Sequence, residues 1–196
     1  MKSSPITKKI VAGRFKNKVL KLPSKTTTRS SKAIVLESFF NTVQFDIIDA
    51  TFVELFSGSG SVGLEALSRG AKKIIFMEQD GEALKVLKAN IAQTDPSMCE
   101  VYSGNTFANI ASVVKMLQRK GEDAYFYIDP PFSIREGMED IYDKTIALIA
   151  SLPKECVKLI IIEHMSTLEL PQNIGIYTMK KTKKFGNTSL TYFISE

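Results

Sequence analysis

The sequence predicts an α/β fold, an open and mostly parallel sheet with helices on both faces and a ligand crevice outside the carboxyl ends of its strands. Three observations carry that expectation. Strand and helix patterns alternate from Thr51 to Glu163. A glycine loop, Ser57-Gly58-Ser59-Gly60-Ser61-Val62-Gly63, joins the first strand of that series to its helix. The last two strand patterns follow each other with no helix between them, as in an antiparallel hairpin. At 196 residues, 44% hydrophobic and 24% charged, the composition is that of one globular domain with a sizeable core.

Taken in order, Lys9 to Leu22 alternates as a hairpin does, with Lys16-Asn17-Lys18 at its turn. Ser30 or Ser31 can cap a helix over Lys32–Gln44 that aligns Val35, Phe39 and Thr42. Strands are expected at Thr51–Phe56, Lys73–Glu78, Met98–Ser103, Ala124–Asp129 and Val157–Glu163. Helices fit between them at Ser61–Arg69, Gly81–Gln93, Thr106–Lys120 and Met138–Ser151. The second of these aligns Leu84, Leu87 and Ile91, and the last Ile141, Thr145, Leu148 and Leu152. Two closing strands are expected near Ile174–Thr182 and Thr188–Ser195.

The net charge of +5 is unevenly placed. Residues 1–36 carry ten Lys or Arg and no acid, which leaves 16 basic against 21 acidic residues in the remainder. The basicity is therefore an arm, expected to span residues 1–31 ahead of a main domain over 32–196. A second cluster, Lys180, Lys181, Lys183 and Lys184, lies near the carboxyl end. Lysine-rich ends can serve solubility alone, but so lopsided an arm favours a polyanionic partner, because phosphates reward clustered positive charge through counterion release. The start, Met1-Lys2-Ser3-Ser4-Pro5, has no apolar h-region and no apolar run is long enough to span a bilayer, so a cytoplasmic protein without membrane contact is expected. Cys99 and Cys156 lack metal-ligand or redox spacing and read as core thiols, and no metal site is expected. His164 follows Glu163 at the end of an apolar strand pattern and reads as a strand residue, while Glu163 could line the crevice or end the strand.

The chemistry is concentrated in Asp129-Pro130-Pro131-Phe132, which ends the apolar run Ala124-Tyr125-Phe126-Tyr127-Ile128. Two prolines fix φ and remove donors, making a rigid corner that presents the Asp129 carboxylate and the Pro130 carbonyl together. Two adjacent acceptors suit an exocyclic amino group with two N–H bonds, and the ring of Phe132 can stack on the base that carries it.

The loop Gly58-x-Gly60-x-x-Gly63, with Glu78 twenty residues after Gly58, also matches a dinucleotide fingerprint, which makes an NAD-linked enzyme a competitor. Glu54 argues against it. A carboxylate ending the preceding strand is a poor neighbour for an anionic pyrophosphate at a helix N-terminus. S-adenosyl-L-methionine has no phosphate and carries a sulfonium and an ammonium, which an acid beside the loop favours. Glu78 would then accept from the ribose hydroxyls, and Asn105 sits where an adenine amino group could be read. Either Glu78 or Asp80 is expected to cap the following helix instead.

On these residues the chain resembles the RsmD-like family of small-subunit (16S) ribosomal RNA guanine-N2 methyltransferases. The resemblance rests on Glu54-Leu55-Phe56-Ser57-Gly58-Ser59-Gly60 with the continuation Gly63-Leu64-Glu65-Ala66-Leu67-Ser68-Arg69-Gly70-Ala71, on Phe76-Met77-Glu78-Gln79-Asp80, and on the Asp-Pro-Pro-Phe corner. Ile10-Val11-Ala12-Gly13-Arg14-Phe15 and Lys184-Phe185-Gly186 are similar to further family positions. It implies a class I, Rossmann-like methyltransferase fold of seven strands with the last pair antiparallel. It also implies S-adenosyl-L-methionine as cofactor, held by Glu54, Phe56, Gly58, Gly60, Glu78 and Asn105, and catalysis by Asp129, Pro130, Pro131 and Phe132. The expected RNA contacts are Arg14, Lys16, Lys18, Lys21, Arg29 and Lys184, and the expected partner is ribosomal RNA within a small-subunit particle, bound by a monomer.

The chain departs from the family at Arg29-Ser30-Ser31-Lys32-Ala33-Ile34-Val35-Leu36-Glu37, where members carry Arg-Pro-Thr-Thr-Asp-Arg-Val-Arg-Glu. Glu54 replaces a usual aspartate and Asn105 stands where an aspartate is common, both keeping hydrogen-bonding capacity. Two other functions remain open on the sequence. The Asp-Pro-Pro corner also fits adenine-N6 methylation of DNA or RNA, and a basic chain of this fold could be a nonenzymatic RNA-binding assembly factor, although retention of Asp129 speaks against that.

Overall fold

The computed structural model describes residues 6–23, 33–131 and 140–195. Phe132, Arg29, Met138 and the two serines expected as candidate caps, Ser30 and Ser31, lie outside the described residues. The chain divides into two compact units, the first ending at Thr106 and the second beginning at Phe107.

The first unit opens with a hairpin of β1 (Thr7–Lys9) and β2 (Val19–Lys21), paired Thr7 to Lys21, Lys8 to Leu20 and Lys9 to Val19. Its strands are shorter than the alternation of Lys9–Leu22 suggests. The cause is that four N–H groups between them go to a helix and not across the hairpin: Val11 and Ala12 donate to the Glu65 carboxylate, Arg14 to the Ser68 carbonyl and Phe15 to the Ser68 hydroxyl. A helix, α1 (Ala33–Thr42), follows, burying Val35, Leu36, Phe39 and Phe40, while Thr42 is half-buried and returns its hydroxyl to the Ser38 carbonyl.

Three parallel strands form the frame of this unit in the order β5-β4-β3, where β3 is Thr51–Leu55, β4 Lys73–Glu78 and β5 Cys99–Ser103. β3 is buried at every position and β4 at all but its first, the pattern of a parallel sheet covered on both faces. The connecting helices are α2 (Ser61–Ser68) and α3 (Gly81–Ile91). Every residue of α2 is buried, and the docked hairpin accounts for it by covering the side the sheet does not. α3 buries Ala83, Leu87, Asn90 and Ile91, so a polar residue shares its apolar face and Leu84 is only half-buried. Asp80 caps α3, accepting from the N–H groups of Glu82 and Ala83 at 3.0 and 2.8 Å. Of the two candidates for that cap, Asp80 has the role.

α4 (Thr106–Lys120) begins at the last residue of the first unit and runs into the second, burying Ile110, Val113 and Leu117. The strands of the second unit run β6-β7-β10-β9-β8: β6 (Ala124–Ile128), β7 (Val157–Met165), β8 (Asn173–Ile174), β9 (Tyr177–Phe185) and β10 (Thr188–Ser195). β6 and β7 are parallel, and β10 pairs antiparallel with both β7 and β9. The expected closing hairpin is therefore present, and β8 is a two-residue addition beyond the seven expected strands. The last helix, α5 (Ile141–Ala150), aligns Ile141, Thr145, Leu148 and Ile149, whereas Leu152 is buried just past its end. Tyr177 fixes that end by donating its hydroxyl to the Leu152 carbonyl at 2.8 Å.

Candidate functional site

Within the first unit, the glycine loop after β3 is held by two acids. Glu54, on β3 and only 4% exposed, accepts the Gly63 N–H at 2.8 Å, so part of its carboxylate serves the start of α2. Burial pushes its pKa from 4.5 up to about 8; the Gly63 and Val62 N–H groups and the Lys8 ammonium pull against that, and the Glu78 charge adds to it. Glu78, ending β4, accepts from Gly58 N–H at 2.7 Å through one oxygen and from Gln79 and Asp80 N–H at 2.8 and 2.7 Å through the other. The oxygen bonded to Gly58 retains a lone pair for a further donor such as a ribose hydroxyl, while the other is filled by its two N–H groups.

The backbone conformation explains the residue types. Phe56, expected as the last strand residue, lies beyond β3 in a left-handed conformation with φ of 57°. Gly58 and Gly60 follow with φ of 54° and 75°, and a Cβ on Gly60 would stand 2.3 Å from Leu87 Cδ1. Gly63 allows α2 to approach the sheet, since a Cβ there would lie 2.6 Å from Phe76 Cε1 and 2.7 Å from Ile74 Cγ2. Ser57 stitches the loop to β4, donating to the Glu54 carbonyl and accepting from the Met77 N–H at 2.8 and 2.9 Å. Asn105 is exposed immediately before α4, past Gly104, whose N–H reaches the Glu78 carbonyl at 2.8 Å. The structure thus brings Glu54, Gly58, Gly60, Gly63 and Glu78 together through direct hydrogen bonds or close packing, with Phe56 beside them on the chain.

In the second unit β6 stops at Ile128, one residue short of the expected end, and the corner follows with Asp129 half-buried, Pro130 buried and Pro131 half-buried. Two buried groups missed by sequence reading stand behind it. Tyr127, on β6, donates its hydroxyl to Glu163 on β7 at 2.7 Å, so Glu163 is a bonded strand residue. Tyr142, at the start of α5, has its pKa pushed up to about 12, by burial first and then by the Asp129 charge. For Tyr127 the signal was available, a tyrosine inside a buried strand pattern whose hydroxyl requires a partner. His164 is a strand residue as expected, bonded to the Met165 carbonyl and Thr191 hydroxyl at 2.9 and 2.8 Å, and burial lowers its pKa. Burial pushes Cys99 up to about 12 and raises Cys156, the behaviour of inert thiols.

The basic residues divide by role. Lys16, Lys18 and Lys21 are exposed on the hairpin. Arg14 is engaged within the chain, paired with Asp95 at 3.2 Å and lying 4.6 Å from the Phe15 ring centroid. Lys8, not expected at the site, faces inward with its cross-strand partner Leu20 and reaches the Ser61 hydroxyl at 3.4 Å. On β9, Lys184 is exposed and pairs with Ser189. Lys181 and Lys183 face the other way, opposite Tyr192 and Leu190, and the Lys181 ammonium lies 4.7 Å from the Tyr192 ring centroid. Among the described residues no cluster of His, Cys, Asp and Glu could hold a metal ion, and no helix is long and apolar enough to cross a membrane.

Comparison with known proteins places this geometry. The family described as "Conserved hypothetical protein 95" matches residues 8–194. A Bacillus subtilis (strain 168) protein named "Putative rRNA methyltransferase YlbH" is 26% identical over 191 residues, covering 94% of this chain and 97% of that protein. The Escherichia coli (strain K12) "Ribosomal RNA small subunit methyltransferase D" is 30% identical over 141 residues, 72% of this chain and 66% of the relative. The solved structure "Putative methyltransferase yhhF from Escherichia coli" superposes with a TM-score of 0.77 at 25% identity, covering 97% of this chain and 99% of that one. A class I methyltransferase fold, a glycine loop between two acids and a match along nearly the whole sequence lead to one conclusion: this chain belongs to the conserved hypothetical protein 95 family, the RsmD-like methyltransferases.

Proposed function

We propose that this protein transfers a methyl group from S-adenosyl-L-methionine to the exocyclic N2 amino group of a guanine in small-subunit ribosomal RNA. The observation that carries the cofactor assignment is the pair of buried acids on the glycine loop, Glu54 and Glu78. The Glu54 carboxylate opposes a pyrophosphate, and the pair favours a ligand bearing a sulfonium or ammonium and ribose hydroxyls. A cation bound beside Glu54 would favour its ionised form, which burial alone disfavours. The names of the relatives support ribosomal RNA as the substrate.

In this reading Asp129 and the Pro130 carbonyl accept the two amino hydrogens of the base. That draws the nitrogen toward a pyramidal geometry and aims its lone pair at the methyl carbon. Pro131 keeps the corner rigid and Phe132, outside the described residues, stacks on the base. Bound S-adenosyl-L-methionine would supply the methyl group, its C–S bond breaking as the N–C bond forms to leave a neutral thioether, and Asp129 or water would take the extra proton of the product nitrogen. Catalysis rests on orientation and on charge placed where it develops. A guanine paired in a stem cannot present its amino group this way, so the target is unpaired or flipped out. The basic arm, residues 1–31, and Lys184 supply phosphate contacts, with Arg14 held back by its pairing to Asp95. The protein acts in the cytoplasm as a monomer on a small-subunit particle.

The test separates binding from chemistry. Calorimetric titration is expected to show that the protein binds S-adenosyl-L-methionine and not NAD. Asp129→Ala is expected to retain that affinity within about twofold while losing at least ~100-fold in turnover, the scale of an orienting and proton-accepting group. Binding of NAD alone, or unchanged turnover in Asp129→Ala, would overturn the assignment.

A further inference from the structure

The basic hairpin is fastened to the glycine loop by one side chain. Asn90, on α3 and 0% exposed, accepts the Lys21 N–H through Oδ1 at 2.9 Å and donates through Nδ2 to the carbonyls of Lys21 and Ser59, both at 2.9 Å. Lys21 belongs to β2, and Ser59 lies between the two loop glycines. A second tie runs from Lys8 on β1 to the Ser61 hydroxyl at the start of α2. A two-stranded hairpin with three-residue strands is marginal alone. Its order depends on docking: the Glu65, Ser68 and Asn90 hydrogen bonds, with Ile10 and Leu20 buried. Asn90, which takes the Lys21 bonds, also bonds the Ser59 carbonyl of the loop.

We infer that Asn90 is a positioning residue that makes the order of the arm and the order of the cofactor loop one equilibrium, so that RNA bound to the arm tightens cofactor binding at the loop. The inference rests on the function proposed above. Phosphates on the outer face of the hairpin, where Lys16, Lys18 and Lys21 are exposed, favour the docked arm. The docked arm presents Lys21 to Asn90, which then holds the Ser59 carbonyl and with it the turn between Gly58 and Gly60. By linkage the cofactor must tighten RNA binding by the same factor.

The test uses the full chain, S-adenosylhomocysteine as a non-reacting cofactor probe, and a small-subunit ribosomal RNA transcript. The dissociation constant of the probe is measured with and without saturating RNA, and that of the RNA with and without the probe. Both ratios are expected to be equal and at roughly fivefold or more in the native chain, the lower end of ordinary coupling between sites. In Asn90→Asp, which keeps an acceptor for the Lys21 N–H but loses both donations, the ratio is expected to fall toward one. A residue that only stabilised the fold would weaken one or both affinities and leave their ratio intact, so an unchanged ratio in Asn90→Asp overturns the inference. If that variant does not fold, the native chain still decides: tight binding of both ligands with a ratio of one sinks the coupling alone. Failure to bind RNA or the probe at all removes the proposed function and the coupling with it.

Discussion

Glu54 is the residue at which burial and function pull in opposite directions. Its pKa of about 8, against 4.5 in water, means that the folded chain holds a proton between those values that the unfolded chain releases. In the free protein, stability from this group is therefore full below about pH 4.5 and is lost as pH rises toward 8. A bound sulfonium or ammonium reverses the preference, favouring the carboxylate. Cofactor binding is then expected to release close to one proton at pH 7, and affinity to rise with pH up to about 8 and flatten above it. Calorimetry in buffers of different ionisation enthalpy reads that proton directly. Glu54→Gln should abolish the release, and a release that persists in the variant would assign it to another group. The sequence placed Glu54 and Glu78 beside the loop, because both lie near strand ends with fixed spacing to glycine. It could not show that each also accepts loop N–H groups, which depends on how the turn closes.

At the scale of elements, the alternation of strands and helices was legible because parallel strands buried on both faces read as continuous apolar runs, as in Ile74-Ile75-Phe76-Met77. The docking of the hairpin was not. Its partners, Glu65, Ser68 and Asn90, lie more than fifty residues away and carry no local signature beyond being polar on helices that pack inward. Glu65 accepts from Val11 and Ala12 N–H at 2.7 and 3.1 Å and pairs with Arg69 at 2.7 Å, so both oxygens are used. Glu65→Gln replaces one acceptor by a donor facing a donor and is expected to cost about 1.5–3 kcal/mol in urea unfolding. Glu37→Gln, on the exposed side of α1, should stay within about 0.5 kcal/mol. Equal losses in the two variants would mean that the Glu65 contacts do not hold the hairpin.

For the molecule as a whole, the proposed RNA substrate makes a prediction about charge. Lys16, Lys18 and Lys21 stay exposed on a hairpin otherwise fixed by its backbone, leaving their charges available. Replacing the three by Gln is expected to reduce the slope of log affinity for RNA against log salt by about 2–3, and Lys184→Gln by about 1. An unchanged slope in the triple variant would remove the arm from the RNA interface. The fold and the loop were readable from pattern and motif; the pairing of Arg14 with Asp95 was not, because the two are remote in sequence. The most direct measurement incubates the purified protein and isotopically labelled S-adenosyl-L-methionine with small ribosomal subunits from cells lacking it, then digests the RNA and identifies the labelled nucleoside by mass spectrometry. N2-methylguanosine at a single site is the predicted product. Labelled N6-methyladenosine, or no incorporation by a protein that demonstrably binds the cofactor, would contradict guanine-N2 methylation of the small subunit.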